Sequence, residues 1–508
     1  MLKTWTRVAP VSCRSLSSVT SVNSEILSSF ELARPFTEIP KKSYLGAIVD
    51  IVRDPSMKLR IDILMKQNFE KFGPIYVLKI PGLGDRVMIK DPEDIQVMFN
   101  NDGQNPIEPG FDFWVYYRNH LKKDLYPSGG LIGNHGEEWW KVRSLVQQDM
   151  LRPKSAMFYI NCIEEISQEF VDKMVACSDS QMEVDDVTKY IYRWSLESVA
   201  AIFLNYRFNC LAEDHAPGSD TARLIDAVGV VLGPDAMELS AGIPIWKYIP
   251  TPYYKRFDKA SDEVYKVCKK YIDIAAEEFK SSGKTNTEDM SMLEKLIHKC
   301  GPESTIPTVM AMDSIGAGID TTGNTVAFLL YDLAQHPEQQ ERLYQEIIEV
   351  VGEHGQVTEA KLKKLRYLKA CYHESQRMKP AVMGFNREVQ TDIAIRGYQI
   401  PKGKVVSCMH ILTMMDEKNF EKPEQFIPER WLRGCPSHHK AAAFAAIPFS
   451  HGPRMCIGRR FAELEVFILA IKVLQRFRLE YHHEVIGMAT EFVVRPDKKI
   501  KMRFVPRH

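Results

Sequence analysis

The hydrophobic pattern of the chain is mainly helical. Apolar residues recur every three or four positions over long runs, which predicts amphipathic helices. The main predicted helices are 59–72, 154–177, 183–204, 253–280 and 304–335. Short alternating runs predict strands at 75–80, 86–89, 387–395, 492–494 and 501–504. The first two strands and the last two are each predicted to form a hairpin, so the predicted fold class is mainly α with a small β region (α+β).

Length and charge restrict the class of protein. The chain has 508 residues, more than a typical domain, but it contains no linker-like stretch that would divide it. Lys plus Arg and Asp plus Glu both number 66, which argues against nucleic acid as a partner. The ten cysteines are scattered without a C-x-x-C pair, as in a protein that needs no disulfides in a reducing compartment.

The first residues have the composition of a targeting segment. They include Lys3, Arg7, Arg14 and several serines, and the first acidic residue is Glu25. This composition predicts a mitochondrial transit peptide at about 1–24, with the functional domain at 25–508. The alternative is a disordered surface tail. No apolar run here approaches the roughly 20 residues of a membrane-spanning helix, so none is expected.

The loop 449–458 contains the main candidate for chemistry, Cys456. This Gly- and Pro-rich loop precedes a strongly periodic apolar helix. Backbone N–H groups and the positive helix end favour a thiolate there, which can bind a soft metal or haem iron. Gly452 and Gly458 would let a flat ligand approach, and Arg454 could reach an anionic group. The alternative is a packed core cysteine.

A second motif lies inside the predicted helix 304–335. Asp320 and Thr321 place an acid beside an alcohol, which can form a proton relay. Gly316 and Gly318 indicate either a locally loosened helix or close approach by another group, because glycine is unfavourable in a helix interior. The alternative is a tightly packed helix whose polar side chains are satisfied internally.

Two pairs of side chains have helical spacing. Glu374 and Arg377 are three residues apart, and Trp139 and Arg143 are four apart, so each pair shares a helix face. Taken alone, the first is typical of a solvated ion pair and the second of a surface cation–aromatic pair.

Together these motifs resemble one family. The spacing F-x-x-G-x-R-x-C-x-G in 449–458 matches the haem-binding signature of cytochrome P450 at every fixed position. Residues 317–321 resemble that family's oxygen-activating motif, 374–377 its E-x-x-R motif, and 428–430 its P-E-R motif. The resemblance covers about residues 35–506. It implies the cytochrome P450 fold, with a single large haem-binding domain.

The resemblance implies a role for each matching residue. Cys456 would be the axial ligand and the only protein ligand of the iron of haem b. Asp320 and Thr321 would deliver protons during O₂ activation. The remaining cofactor-binding residues would be Trp139, Arg143, Arg387, Phe449, Arg454 and Gly458, and the structural triad would be Glu374, Arg377 and Arg430.

Other stretches resemble the animal mitochondrial branch of the family, namely 193–198, 246–252 and 458–465. That resemblance implies a monooxygenase that takes electrons from NADPH through a ferredoxin reductase and a [2Fe–2S] ferredoxin. It also implies a position on the matrix side of the inner membrane, with peripheral membrane association. The implied substrate is lipophilic: a sterol, a steroid, a secosteroid or a foreign compound. The pocket is expected around 111–120, 205–240, 381–385 and 486–490.

The same resemblance implies a docking site for the ferredoxin. A charge run such as 361–369 is usually a solvated helix face. In mitochondrial members, lysines of this helix pair with ferredoxin carboxylates. Lys369 matches one such position, and His373 stands where those members have a second lysine, while Arg459 and Arg460 would supplement the contact. The basic residues of the run are Lys361, Lys363, Lys364, Arg366 and Lys369.

Two other functions remain compatible with a haem-thiolate site. One is an isomerase or dehydratase that needs neither O₂ nor electrons, although members of that kind often lack the acid–alcohol pair kept here at Asp320 and Thr321. The other is a non-catalytic haem protein. Turnover with ferredoxin, reductase and NADPH would distinguish the three.

Overall fold

The fold is described from a computed structural model. The described residues are 29–80, 84–126, 128–212, 215–231, 233, 239, 244–435, 442–490 and 493–507. The predicted transit peptide at 1–24 lies outside them, so it stays a prediction.

Helices form most of the described chain, as the periodicity predicts. They are α1 (Tyr44–Arg53), α2 (Ile61–Phe72), α3 (Pro92–Asn100), α4 (Asp112–Tyr116), α5 (Gly130–Gly133), α6 (Gly136–Leu151), α7 (Pro153–Met157), α8 (Ile160–Cys177), α9 (Val187–Phe203), α10 (Asp220–Val231), α11 (Pro252–Ser282), α12 (Met292–Cys300), α13 (Ile306–Gln335), α14 (Pro337–Val350), α15 (Glu359–Lys364), α16 (Arg366–Met378), α17 (His410–Met414) and α18 (Arg459–Arg476). Shorter turns are the 3₁₀ segments Phe36–Glu38, Pro55–Lys58, Ile245–Lys247, Thr287–Asp289 and Pro428–Trp431, and the π-helical turn Tyr117–Leu121.

The strands are few and short. They are β1 (Lys41–Lys42), β2 (Ile75–Ile80), β3 (Gly84–Ile89), β4 (Glu183–Val184), β5 (Phe385–Glu388), β6 (Ile393–Ile395), β7 (Tyr398–Ile400), β8 (Val405–Cys408), β9 (Phe477–Glu480), β10 (Met488–Thr490), β11 (Val494–Pro496) and β12 (Met502–Pro506). The largest sheet has the order β1-β2-β3-β8-β5, the next has β4-β12-β9, and the others pair β10 with β11 and β6 with β7. The predicted α+β class is therefore confirmed.

Helix α13 runs through the main core. It is apolar around most of its circumference, as expected of a helix buried on all sides, and it packs most extensively against α9. The helix is continuous through Gly316 and Gly318. A Cβ at Gly316 would lie 2.9 Å from Trp114 Cη2, and one at Gly318 would lie 3.1 Å from Val199 Cγ2. Of the two roles that the sequence allows for these glycines, close approach is therefore the correct one.

Two of the strand predictions are wrong about which segments pair with each other. The run 387–395 is not one strand, because β5 pairs with β8 whereas β6 turns through Arg396 and Gly397 to pair with β7. Both turn residues have positive φ, +52° and +70°. The two C-terminal runs do not form a hairpin either, because β11 pairs with β10 and β12 with β9. Alternation marks a strand, but it does not specify the partner.

Candidate functional site

The Cys456 loop folds back on itself at the start of α18. The backbone N–H of Cys456 donates to the carbonyl of Phe449 at 2.9 Å. The chain reverses through Ser450 and Gly452, which have φ values of +62° and +77°. Gly458 is the N-cap of α18, so Cys456 lies just ahead of a helix N-terminus, as the sequence predicts.

The loop acts on the thiol in the direction that the sequence predicts, but burial has the larger effect on its pKa. Burial raises the pKa of the Cys456 thiol above its ordinary value, and this effect exceeds the opposing ones. Hydrogen bonding to the backbone of Gly458 and Arg459 and the charge of Arg143 all lower the pKa. The local donors are present, but the low-dielectric surroundings penalise the charge more. A coordinated metal ion would complete the deprotonation.

Cys456 opens into a cavity of about 550 Å³. Phe449 and Gly458 line the cavity beside the thiol, and Ala317 and Thr321 of α13 also line it. A Cβ at Gly458 would meet no atom within 4 Å, so this glycine leaves open space where a flat group can lie against the loop. Apolar atoms contribute most of the lining.

Buried guanidinium groups lie beside this cavity. Burial lowers the pKa of Arg143 and of Arg454, each to about 10. Both lie over the indole of Trp139, at 5.7 and 4.9 Å from the ring centroid. Arg143 Nη2 donates to the carbonyl of Met455 at 3.0 Å, whereas its Nε is buried without a hydrogen-bond partner among the described residues. These cations favour an anionic ligand group.

Arg387 is already paired with carboxylates. Its Nε donates to Asp102 at 2.7 Å, its Nη1 lies 2.9 Å from Glu108, and its Nη2 reaches the hydroxyl of Ser450 at 3.3 Å. Burial raises the pKa of Asp102 to about 6, against the opposing charge of Arg387. Of this group, Glu108 and Ser450 line the cavity. The structure thus places Arg387 behind the wall of the cavity.

Asp320 and Thr321 face different sides of α13. Thr321 lines the cavity, and its hydroxyl donates to the carbonyl of Ala317 at 2.7 Å. Asp320 does not line the cavity; its charge interacts with Arg495 and Tyr192 instead. Burial raises the pKa of Asp320 to about 6, so both protonation states are accessible near neutral pH. Asp320 and Thr321 are adjacent in sequence, so together they connect the cavity side of α13 with the side on which Asp320 lies.

The predicted triad residues meet in the core. Arg377 binds Glu374 through two hydrogen bonds of 3.0 and 2.9 Å, and Arg430 Nε donates to Glu374 at 2.9 Å. The indole of Trp431 and the backbone N–H of Ile427 complete the coordination of this carboxylate, at 2.8 and 3.0 Å. The ion pairs are buried, unlike the solvated pair that the spacing alone suggests. The side chains are therefore fully paired, as buried charges require.

The predicted docking residues differ in exposure. Lys369 donates to the carbonyl of Lys363 at 3.2 Å, and burial lowers its pKa. Burial also lowers the pKa of His373, whose ring packs 5.5 Å from that of Trp431, so the imidazole is neutral at pH 7.

Arg459 and Lys361 are also half-buried, whereas the other basic residues are exposed, namely Lys363, Lys364, Arg366 and Arg460. Arg459 pairs with Glu463 at 2.7 Å, and Arg460 reaches the same carboxylate at 3.5 Å. Lys363 pairs with Glu359 at 2.7 Å.

Sequence reasoning missed several polar residues around the cavity. His135, the N-cap of α6, lies 3.1 Å from Arg454 through its Nδ1. Asp313 lines the cavity and forms an ion pair with the fully buried Arg118. Glu465 is buried against the cavity, where burial raises its pKa to about 8. Each is a single polar residue in a helix or loop, so the local pattern does not reveal its position.

The predicted pocket stretches are only partly correct. Phe111 and residues 381–385 line the cavity. Within the described residues, no part of 205–240 and no part of 486–490 lines it. The second stretch includes β10, where Met488 to Thr490 are held in register with β11.

Comparison with known proteins identifies the family. The family model described as Cytochrome P450 matches residues 41–504. The chain belongs to the cytochrome P450 family. Probable mitochondrial cytochrome P450 12a5 of Drosophila melanogaster is 32% identical over 495 residues, covering 93% of this chain and 91% of that protein. Cytochrome P450 CYP12A2 of Musca domestica is 32% identical over 531 residues, covering 98% and 96%. Probable mitochondrial cytochrome P450 301a1 of Drosophila melanogaster is 34% identical over 431 residues, covering 83% and 77%.

Cytochromes P450 are monooxygenases that bind haem through a cysteine thiolate. The residues of this chain fit that cofactor. Cys456 opens into the cavity, Gly458 leaves room beside it, and the buried Nε of Arg143 lacks a partner among the described residues. Arg454 supplies a second buried cation for the carboxylates of the haem.

Among the helices that the structure describes, none has both the length and the apolar composition needed to cross a bilayer.

Proposed function

We propose that the protein is a mitochondrial cytochrome P450 that oxidises a lipophilic small molecule with electrons from NADPH, delivered by a ferredoxin reductase and a [2Fe–2S] ferredoxin. The observation that carries the proposal is the apolar cavity that has both Cys456 and Thr321 in its wall. When bound, the haem iron activates O₂, so that one oxygen atom enters a C–H bond of the substrate and the other leaves as water.

The side chains around the cavity would have separate roles. Cys456 would hold the iron, while Trp139, Arg143 and Arg454 would hold the propionate side. Arg387 would join them only by exchanging a present partner, such as Glu108, for a propionate. The hydroxyl of Thr321 donates to the carbonyl of Ala317. To pass its proton into the cavity, the hydroxyl would leave this carbonyl while its oxygen accepts a proton from the side of the helix where Asp320 lies. Asp320 would exchange protons with the outside, because its pKa of about 6 allows both gain and loss. These roles make Asp320 and Thr321 a relay that crosses α13.

The lining of the cavity supports a lipophilic substrate. Phe111, Val382, Met383 and Phe461 contribute large apolar surfaces, and apolar area predominates. A cavity of this kind excludes water and binds ligands mainly through burial of apolar surface. Sterols, steroids, secosteroids and lipophilic foreign compounds all satisfy this requirement.

The names of the relatives and the surface charge support ferredoxin as the electron source and the mitochondrion as the location. Two of these relatives are named mitochondrial, and residues 1–24 have the composition of a transit peptide. Lys369, Arg459 and Arg460 would receive an acidic ferredoxin near the Cys456 side of the molecule. His373 would contribute shape rather than charge, because its imidazole is neutral.

Exposed apolar side chains support peripheral contact with the inner membrane, on the matrix side. Leu45 and Val52 of α1 are 73% and 72% exposed, and Tyr248 and Ile249 before α11 are 86% and 64% exposed. Apolar side chains on an amphipathic helix or a loop can enter the interfacial region of a bilayer without spanning it.

Reconstitution tests the proposal. Purified holoprotein would be combined with ferredoxin, its reductase and NADPH, and screened against sterols, steroids and lipophilic foreign compounds. Ligands that shift the haem spin state should also be converted to monooxygenated products. Omitting ferredoxin should abolish conversion. Conversion of a hydroperoxide without O₂ or NADPH, in the absence of any monooxygenation, would favour the isomerase alternative and contradict the proposal.

A further inference from the structure

Arg86 of β3 places a cation in the cavity wall, separate from the guanidinium groups of Arg143, Arg387 and Arg454. It pairs in register with Leu78 of β2 on one side and Val405 of β8 on the other, and Val405 pairs with Glu388 of β5. Residues in register point to the same face of a sheet, and successive residues alternate. Arg86 therefore lies on the sheet face opposite to that of Arg387.

Among the described residues, Arg86 has no fixed counter-ion. Its Nε is buried without a hydrogen-bond partner in that part of the chain, and Arg86 forms no ion pair there. Asp112 is the carboxylate whose charge interacts with it, at a separation beyond ion-pair distance. Burial lowers the pKa of the Arg86 guanidinium. Arg86 is half-buried, but a guanidinium N–H that is buried without a partner is unfavourable. This argues that a ligand supplies the missing acceptor, and the positive charge of Arg86 favours an anionic one.

The surroundings of Arg86 define the shape of that ligand. Ile80, Met383 and Met409 line the cavity together with Arg86, and the same cavity extends to Cys456. A ligand that pairs with Arg86 would therefore have its remaining length in apolar space. A guanidinium can hold a carboxylate through two parallel hydrogen bonds, which fixes orientation as well as affinity.

We propose that Arg86 binds the carboxylate end of an elongated lipophilic acid, so that the apolar part of this substrate extends into the cavity toward Cys456. The inference rests on the proposed monooxygenase function and narrows its substrate class. Arg86 is then a specificity-determining residue, because it sets which end of the molecule stays away from the reacting carbon.

Spectral titration of the holoenzyme tests this assignment. The probes are dodecanoic acid, methyl dodecanoate and dodecan-1-ol, which share chain length and differ in charge at one end; the acid is ionised at pH 7.4. The wild type should bind the acid at least about 10-fold more tightly than the ester or the alcohol. Arg86→Gln should weaken acid binding about 10- to 100-fold and leave ester binding unchanged. Equal affinity of the wild type for acid and ester would overturn the proposal.

Two further variants serve as controls, a conservative change at Arg86 and a change at a nearby lysine outside the cavity. Arg86→Lys should retain part of the preference for the acid, because it keeps the charge and loses the bidentate geometry. Lys79→Gln removes an exposed cation on the neighbouring strand outside the cavity wall and should leave the preference intact. If Arg86→Gln and Arg86→Lys both kept the full preference, Arg86 would not be the anchor.

Haem content distinguishes an Arg86 that binds substrate from an Arg86 that binds the haem. If Arg86 contacts a haem propionate, Arg86→Gln should lower haem content and keep the acid-to-ester ratio, which would overturn the proposal. A wild type with a normal thiolate CO spectrum and turnover but without acid preference would refute this inference alone. A wild type without a thiolate spectrum would refute the proposed function itself.

Discussion

At the scale of the residue, Cys456 shows how burial and local donors compete. Its position before α18 supplies N–H donors, and Arg143 supplies positive charge, yet burial raises the pKa of the thiol. A metal ion bound by the sulfur would stabilise the thiolate against this effect of burial.

The first prediction concerns this ligand. The ferrous–CO complex of the wild type should show the strongly red-shifted Soret band of thiolate-ligated haem. Cys456→His should lose that band while keeping some haem, because imidazole can also bind the iron. Cys408→Ser, a change at another buried cysteine of the cavity wall, should keep the band. An unchanged CO spectrum in Cys456→Ser would contradict the assignment.

The second prediction concerns proton delivery. Thr321→Ala should still bind substrate and consume NADPH, but divert reducing equivalents to peroxide or water, because it removes the hydroxyl from the cavity wall. Asp320→Asn should lower kcat more than it changes substrate binding, because a relay acts after binding. The comparison is Thr322→Ala, which removes the neighbouring hydroxyl. Product formed per NADPH is the measurement, and wild-type coupling in Thr321→Ala would reject the relay.

The third prediction is a pH effect on stability. The pKa of Asp320 is about 6 in the folded protein and about 3.9 in an unfolded chain. The folded state therefore binds the proton more tightly, so its stability relative to Asp320→Asn falls as pH rises from about 4 through about 6. The loss approaches roughly 3 kcal/mol when Asp320 is fully ionised. Denaturant unfolding of the wild type and of Asp320→Asn at pH 4.5 and 7.5 measures this loss. A stability difference between the two proteins that does not change with pH would disprove the raised pKa of Asp320.

At the scale of the element, the buried carboxylate of Glu374 joins α16 to the segment that follows α17. Arg377 comes from the same helix, whereas Arg430 and Trp431 come from the 3₁₀ turn Pro428–Trp431. The network positions this turn against α16 through hydrogen bonds to one side chain. None of these residues lines the cavity, so we expect the role of the network to be structural.

The fourth prediction tests this junction. Arg430→Gln should lower the free energy of unfolding by about 3–5 kcal/mol, because it removes a buried charge from a paired network. Arg433→Gln, three residues later and exposed, should change it by less than about 0.5 kcal/mol. Haem retention during denaturant titration reports the same loss. Equal stability of the two variants would show that Arg430 does not support the junction.

At the scale of the whole molecule, the net charge is zero, but the residues 361–369 form a local basic region. Lys363, Lys364 and Arg366 are exposed, and Lys361 and Lys369 are half-buried. This run extends into the first turn of α16, whose His373 packs on Trp431. Docking of an acidic protein depends on such local fields rather than on net charge.

The fifth prediction concerns docking. Lys369→Glu should raise the ferredoxin concentration for half-maximal turnover several-fold and leave the substrate-induced spin shift unchanged. The effect should diminish at high salt, because surface charges are screened. Lys259→Glu, an exposed change on α11, is the control. Unchanged ferredoxin dependence in Lys369→Glu would place the docking surface elsewhere.

The sequence also predicts that His373→Lys lowers this concentration. In the structure the added ammonium would have to leave the packing against Trp431 before it could reach a partner. Unfolding should therefore be measured together with turnover for this variant.

The sequence by itself determined the features that depend on local order. Periodicity predicts α13 and α18, and the spacing around Cys456 predicts its loop before a helix. The tertiary structure decided what depends on residues far apart in the chain. It selected the partners of β5 and β11, raised the pKa of Cys456 through burial, and placed Arg86 in the cavity wall. Strand pairing and desolvation arise from the assembled surroundings, which no single stretch of sequence specifies.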